Sequence, residues 1–160
     1  MIARITLLTC YVWFNFSLLT PIQAQPLPLT SFDSLEHLMR AEAKPVLIFI
    51  RTDWCKICAL QEQTTFEDSI VIRALASNYY CLQLDAAEKA PISFLGREYG
   101  YRPSGVSDGI HELAELLASD QGHLVYPTTT FLSEKFEVEY THRGLLKTEE
   151  LKEILEESSP

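Results

Sequence analysis

At 160 residues, 47% hydrophobic and 22% charged, the chain has room for one globular domain and has the composition of neither a disordered chain nor a membrane bundle. Its formal net charge of −9, with lysines and arginines scattered rather than clustered, excludes a phosphate-tracking surface, so no nucleic-acid partner is expected.

In chain order, Arg4 is the only charge before Asp33, and Ile5 to Leu19 is largely apolar and ends near Thr20-Pro21-Ile22-Gln23-Ala24. This run falls short of the roughly 20 residues that span a bilayer and is interrupted by Asn15 and Ser17. It therefore predicts a cleaved export signal over 1–24 rather than a permanent anchor, and Cys10 would leave with it. Residues 25–30, QPLPLT, predict an extended, loosely held lead-in, and the domain is expected over 31–160. A first helix follows, with Asp33 as N-cap, Glu36 three residues on, and Phe32, Leu35, Leu38 and Met39 at helical spacing until Lys44-Pro45.

Val46 to Ile50 is an unbroken run of branched and aromatic residues, which suits a strand covered on both faces. Trp54, Cys55, Lys56, Ile57 and Cys58 come next, followed by the good helix formers Ala59 to Gln63, so both thiols fall at a strand-to-helix junction. Unpaired N–H groups and the macrodipole at a helix start stabilise a thiolate, the nucleophile of disulfide exchange. The helical pattern runs on to Phe66 with a break near Thr64-Thr65, then resumes at Ile70, Val71, Ala74 and Leu75, with Asp68 or Ser69 as cap. Tyr79 to Asp85 reads as a second strand, parallel to the first because of the intervening crossover.

Residues 86–106 are harder to read. Gly96 between Ile92-Ser93-Phe94-Leu95 and Tyr99, Tyr101 predicts a short hairpin, and the segment is weighed as a specificity insertion against a packed surface excursion. A helix is expected from Ser107 or Asp108 with Ile110, Leu113, Ala114 and Leu117 on one face, which puts His111 and Glu112 in a solvated first turn. Then come Tyr126-Pro127, a strand Thr128 to Leu132, a turn near Ser133-Glu134-Lys135, a strand Phe136 to Thr141, and a last helix capped by Thr148 with Leu151, Ile154 and Leu155 inward.

A pair two residues apart closes too small a loop to constrain the unfolded chain much, so Cys55 and Cys58 read as reactive rather than structural. Cys81 reads as a small buried apolar residue. Ala59 stands where haem attachment needs histidine, and structural zinc lacks a second cysteine pair. A copper or zinc carrier using Cys55, Cys58 and one of His111, His123 or His142 stays as the rival, and a non-catalytic adaptor as a third reading.

The order strand, Cys-x-x-C helix, strand, helix, Tyr-Pro-Thr, hairpin, helix resembles the thioredoxin fold, a central mixed sheet flanked by helices in an α/β domain, here with an insertion before the proline strand. WCKIC is similar to the WCxxC signature, and YPTTTF resembles the cis-proline segment, over roughly Phe32 to Leu155. The resemblance implies a thiol:disulfide oxidoreductase with Cys55 as nucleophile and Cys58 as resolving thiol, and no cofactor beyond that disulfide. It implies Trp54, Tyr126 and Pro127 as substrate contacts and Lys56, Ile57 and Asp53 as tuners of the pair, Lys56 favouring the Cys55 thiolate, Asp53 opposing it and Arg51 assisting. Phe49 stands where the family places a buried acid, so Asp53, Glu62 or water would have to take the resolving thiol's proton. The expected setting is an exported compartment, the periplasm in a Gram-negative bacterium. There a monomer, more a reductase than an oxidant, would meet protein thiols and disulfides and a membrane electron donor or a reoxidising partner.

Overall fold

The computed structural model describes residues 26–105 and 108–157. The predicted export signal lies outside them. The first helix, α1 (Phe32–Ala41), is capped by Ser31, whose hydroxyl accepts the Ser34 amide at 3.2 Å, and not by Asp33, which falls in the first turn where its charge meets the positive end of the dipole. Strand β1 (Val46–Arg51) follows and is buried through Ile50. The Cys-x-x-C helix α2 (Lys56–Thr64) stops before Phe66. After it, α3 (Ser69–Asn78) is capped by the Asp68 carboxylate, which accepts from Ile70 N at 2.9 Å and Val71 N at 3.0 Å. Strand β2 (Tyr80–Asp85) returns parallel to β1, Val46 facing Tyr80 and Arg51 facing Asp85.

The insertion is built from two small hairpins. Strands β3 (Ile92–Phe94) and β4 (Arg97–Tyr99) are joined by Leu95 (φ 54°) and Gly96 (φ 73°), both left-handed as a two-residue hairpin turn requires. Strands β5 (Tyr101–Pro103) and β6 (Gly109–His111) pair next, and at Gly109 any Cβ would sit 2.5 Å from the Arg102 carbonyl oxygen and the Tyr101 ring. Helix α4 (Glu112–Ala118) therefore starts later than its apolar spacing suggests, with Ile110 still in a strand. A further short hairpin, β7 (Ser119–Asp120) and β8 (His123–Leu124), leads to the cis Tyr126–Pro127 bond and β9 (Thr128–Leu132). Strand β10 begins only at Val138 (Val138–Arg143), because Phe136 (φ 62°) is spent on the turn. Helix α5 (Thr148–Glu157) closes the chain; its first amides are not capped by Thr148, whose hydroxyl points to the Thr64 carbonyl, and the Glu150 carboxylate accepts the Lys147 amide instead.

The main sheet runs β10-β9-β1-β2, with β9 antiparallel to both neighbours. Because side chains alternate along β1, Val46, Ile48 and Ile50 face one core with α1 and α4, while Leu47 and Phe49 face the other with α2, α3 and α5. That double cover explains why the strand reads as one apolar run. The insertion belongs to the first core. Phe94 packs edge-on against Phe32 (5.7 Å) and Phe136 (5.9 Å), tying the hairpin to α1 and to the start of the last strand pair. The lead-in is pinned too, against expectation: Thr30 N donates to Cys81 O at 2.7 Å, and Leu29 bridges Cys81 in parallel, adding backbone hydrogen bonding at the β2 edge.

Candidate active site

Where β1 ends, the buried Thr52 turns the chain, its carbonyl accepting the Cys55 amide at 3.1 Å. Cys55 becomes the N-cap of α2, with its sulfur accepting the Cys58 amide at 3.1 Å. The two sulfurs are bonded at 2.04 Å, with Cα atoms 5.2 Å apart. Cys55 keeps 8% of its surface exposed and Cys58 none, so anything arriving from solvent meets Cys55 first. Lys56 and Ile57, between them, point outward as the first exposed residues of the helix.

The downstream segment arrives beside this pair. Tyr126 packs against the core cluster that contains both cysteines, and its ring meets Trp54 edge-on at 6.0 Å, while Trp54 leaves 72% of its surface to solvent. Trp54, Cys55 and Tyr126 are thus gathered at one end of the sheet, with Pro127 next in the chain. Burial, and then the negative charge of Asp85, pushes the Tyr126 hydroxyl above its ordinary pKa, so it stays neutral across the physiological range.

A buried connection holds the two halves of the site in register. Gln61, three residues beyond Cys58 and fully buried, donates through Nε2 to Thr129 Oγ1 at 3.0 Å and accepts the Leu146 amide on Oε1 at 2.9 Å. It links α2 to the strand after Pro127 and to the turn before α5. Thr65 adds a second link, donating to Leu146 O at 2.8 Å. Sequence reasoning treats Gln61 only as a helix former; the available signal is that it lies three residues after Cys58 and so shares its inward face.

Charge around the pair is arranged differently from the expectation. Asp53 and Arg51 are paired with each other, Arg51 Nη1 donating to Asp53 Oδ1 at 2.7 Å. Arg51 Nε also lies 3.1 Å from Glu62 Oε1, an ion-pair distance without hydrogen-bond alignment, and Gln83 donates to the same oxygen at 3.2 Å. Phe49 is buried against Phe66 with ring centroids 5.0 Å apart, in the cluster that holds Cys58, so the position behind the resolving sulfur is apolar. Cys81 is buried as expected, and desolvation pushes its thiol up to about 12. His111 is not in a solvated turn: it is fully buried as the N-cap of α4, with Nδ1 accepting the Leu113 amide at 3.3 Å. Among the described residues, no three His, Cys, Asp or Glu side chains gather to hold a metal, so the rival carrier lacks its third ligand.

Comparison with known proteins agrees with this geometry. A family model described as thioredoxin-like matches residues 29–106, which include both cysteines. Among curated proteins, the thiol:disulfide interchange protein DsbD of Campylobacter jejuni is 27% identical over 60 residues, 38% of this chain; the match spans a tenth of that protein's length. Among solved structures, a DsbH oxidoreductase superposes with a TM-score of 0.55 at 16% identity, covering 84% of this chain and 86% of that one. A thioredoxin from Thermus thermophilus gives 0.58 at 17% identity, covering 83% and 87%. Those two likenesses establish the fold. With the family match running through the cysteine pair and the fold shared over more than four-fifths of its length, the chain has a thioredoxin fold and is similar to the thioredoxin-like family.

Proposed function

We propose that the protein is an exported thiol:disulfide oxidoreductase that reduces disulfides in other proteins. The observation that carries the reading is the asymmetry of the pair: Cys55 caps the start of α2 and reaches the surface, while Cys58 lies one turn deeper and fully buried. In the reduced protein, the Cys55 thiolate, favoured by the helix start and by the neighbouring Lys56 ammonium, attacks one sulfur of a substrate disulfide. A mixed disulfide forms and the substrate's other sulfur leaves as a thiolate that takes a proton from water. Cys58, losing its proton, then attacks Cys55 Sγ; the second substrate sulfur leaves, and two electrons have passed to the substrate as the Cys55–Cys58 bond forms. Trp54 and Tyr126 flank the mixed disulfide, and the extended backbone at Tyr126-Pro127 pairs with the substrate segment.

Turnover in an oxidising compartment needs a dithiol donor, for which a membrane-embedded partner is proposed; the oxidising compartment itself is read from the apolar N-terminal run. The test is twofold. Replacing Cys55 by Ser is expected to abolish insulin reduction in the presence of dithiothreitol; unchanged turnover would remove Cys55 from its role. Equilibration of the pair with glutathione is expected to give a potential near the reducing end, about −270 mV, whereas a value near about −120 mV would make the protein an oxidant.

A further inference from the structure

In the main sheet β2 is an outer strand, paired with β1 from Tyr80 to Asp85, and the lead-in lies on its other side, with Leu29 opposite Cys81. The seat of the lead-in is narrow. The Thr30 amide donates to Cys81 O at 2.7 Å, whereas Pro26 and Pro28 have no amide hydrogen to add to a ladder. Leu27 is half-buried against the cluster that holds Cys55 and Cys58, while Leu29 keeps 55% of its surface in solvent.

Between the lead-in and the sheet is a cavity of about 80 Å³, bounded by Leu27 and Leu29 on one side, by Leu47, Phe49 and Phe66 on the other, with Cys81 in its wall. Detaching the lead-in would leave every β1–β2 pair in place and would put water against that cavity. A segment held by few bonds and little buried apolar surface opens at a lower free energy than the sheet it lies on. Cys81 is the cysteine of the described residues left outside the disulfide, and it shares the apolar cluster of Cys55 and Cys58. Open to water, such a thiol would ionise near its ordinary pKa of about 8.5 and attack disulfides on its own account. The mixed disulfide so formed would not be resolved by Cys58, which is placed against Cys55.

We propose that residues 26–30 are a strap that detaches from β2 without unfolding of the domain, and that its seating is what keeps Cys81 out of thiol exchange. Leu27 is the anchor, since its side chain fills the near wall of the cavity and reaches the cluster behind the exchange pair. The Thr30 amide is the latch, since it is the donor that ties the strap to the Cys81 residue itself. The protective role rests on the reading of Cys55–Cys58 as an exchange centre; the detachment of the strap does not.

The test treats the full oxidised chain with iodoacetamide at about pH 8 and reads alkylation at the peptide that carries Cys81, apart from the one that carries Cys10. With the strap seated, as in the wild type, that peptide stays unmodified. Leu27→Ser should bring on alkylation of Cys81 while far-ultraviolet circular dichroism still shows a folded chain. Adding Thr30→Pro, which deletes the latching amide, should make it about fivefold faster, the effect of one net hydrogen bond on the population of the detached strap. In both variants the rate should stay nearly flat up to about 1 M urea, because detachment exposes little surface, whereas global unfolding responds steeply. Cys81 unmodified in both folded variants, or alkylation that climbs with urea as steeply as unfolding itself, overturns the strap. Cys55 and Cys58 are in their disulfide and take no part in this labelling. Failure of the exchange reading in the insulin assay would therefore leave the alkylation result standing, and failure of the strap would leave insulin reduction by the wild type unchanged.

Discussion

Gln61 offers the sharpest test of how the site is held. Gln61→Ala removes two buried hydrogen bonds, to Thr129 Oγ1 and from Leu146 N, and leaves that amide with no partner in a place closed to water. Each net bond is worth about 1 kcal/mol and a stranded buried amide costs about 1–3 kcal/mol, so with the small void the loss is about 3–5 kcal/mol. Against a typical total of about 5–15 kcal/mol this is a large fraction. Urea unfolding followed by far-ultraviolet circular dichroism reads it as a shift in midpoint at constant slope. Gln61→Glu isolates the electrostatic part, since the introduced carboxyl fills the same space and still accepts the Leu146 amide. Burial raises the folded pKa of that carboxyl above its unfolded value of about 4.3. Its contribution is thus fully present below the unfolded pKa and is lost as pH rises through the folded one. The variant should therefore sit close to wild type near pH 4 and fall behind toward neutrality. A Gln61→Ala cost under about 1 kcal/mol, or a Gln61→Glu gap flat with pH, would refute the claim that this side chain ties α2 to the proline strand.

Other expectations follow from single interactions. Asp68→Ala should cost about 1 kcal/mol through the lost cap of α3. The amide of Val71 foremost, then that of Ile70, holds the Asp68 carboxyl below its ordinary pKa, so its stabilisation is present above about pH 4 and is lost as pH falls through the folded value. The gap in urea midpoint between wild type and variant should accordingly close in acid, and a gap that stays constant to about pH 2 contradicts the cap. Phe94→Ala removes the ring wedged between Phe32 and Phe136 and should cost about 3–4 kcal/mol in thermal unfolding. A loss below about 1 kcal/mol would return the insertion to the status of a surface excursion. Iodoacetamide at about pH 8 should leave Cys81 unmodified in the native protein and alkylate it in denaturant, as mapped by peptide mass, because burial pushes that thiol up to about 12.

Much of this architecture was legible because local signals and tertiary roles coincide. The run Val46 to Ile50 is apolar throughout because both sheet faces are covered, and the cysteines sit at a helix start because a strand must turn there. A linear reading goes astray where two candidates compete within a few residues. Ser31 and Asp33 both cap well, and only the extended backbone at Ser31 (φ −81°, ψ 152°) decides between them. Ile110 keeps helical spacing with Leu113 and Leu117, yet strand pairing with Arg102 claims it first. Burial of polar residues was the least readable feature. Gln61, Thr129 and His111 look like surface residues in a linear reading and are buried: Gln61 and Thr129 meet each other across 68 residues, while His111 caps α4 through the Leu113 amide two residues on, which depends on where α4 starts. Such pairing has no periodicity to betray it.

The filling of the space behind the resolving cysteine has a consequence for the chemistry. With Phe49 and Phe66 there, a proton leaving Cys58 finds no carboxylate across the strand, and the acid that shares the Cys58 face of α2 is Glu62, one turn further on. Glu62 is engaged by Arg51 and Gln83. The Arg51 network, through its contacts to Asp53 and Glu62, anchors the end of β1 against α2. The same arrangement accounts for the pairing of Asp53 with Arg51: the acid next to Trp54 is neutralised where it would oppose a Cys55 thiolate, leaving Lys56 as the nearest unpaired charge in sequence to the nucleophile.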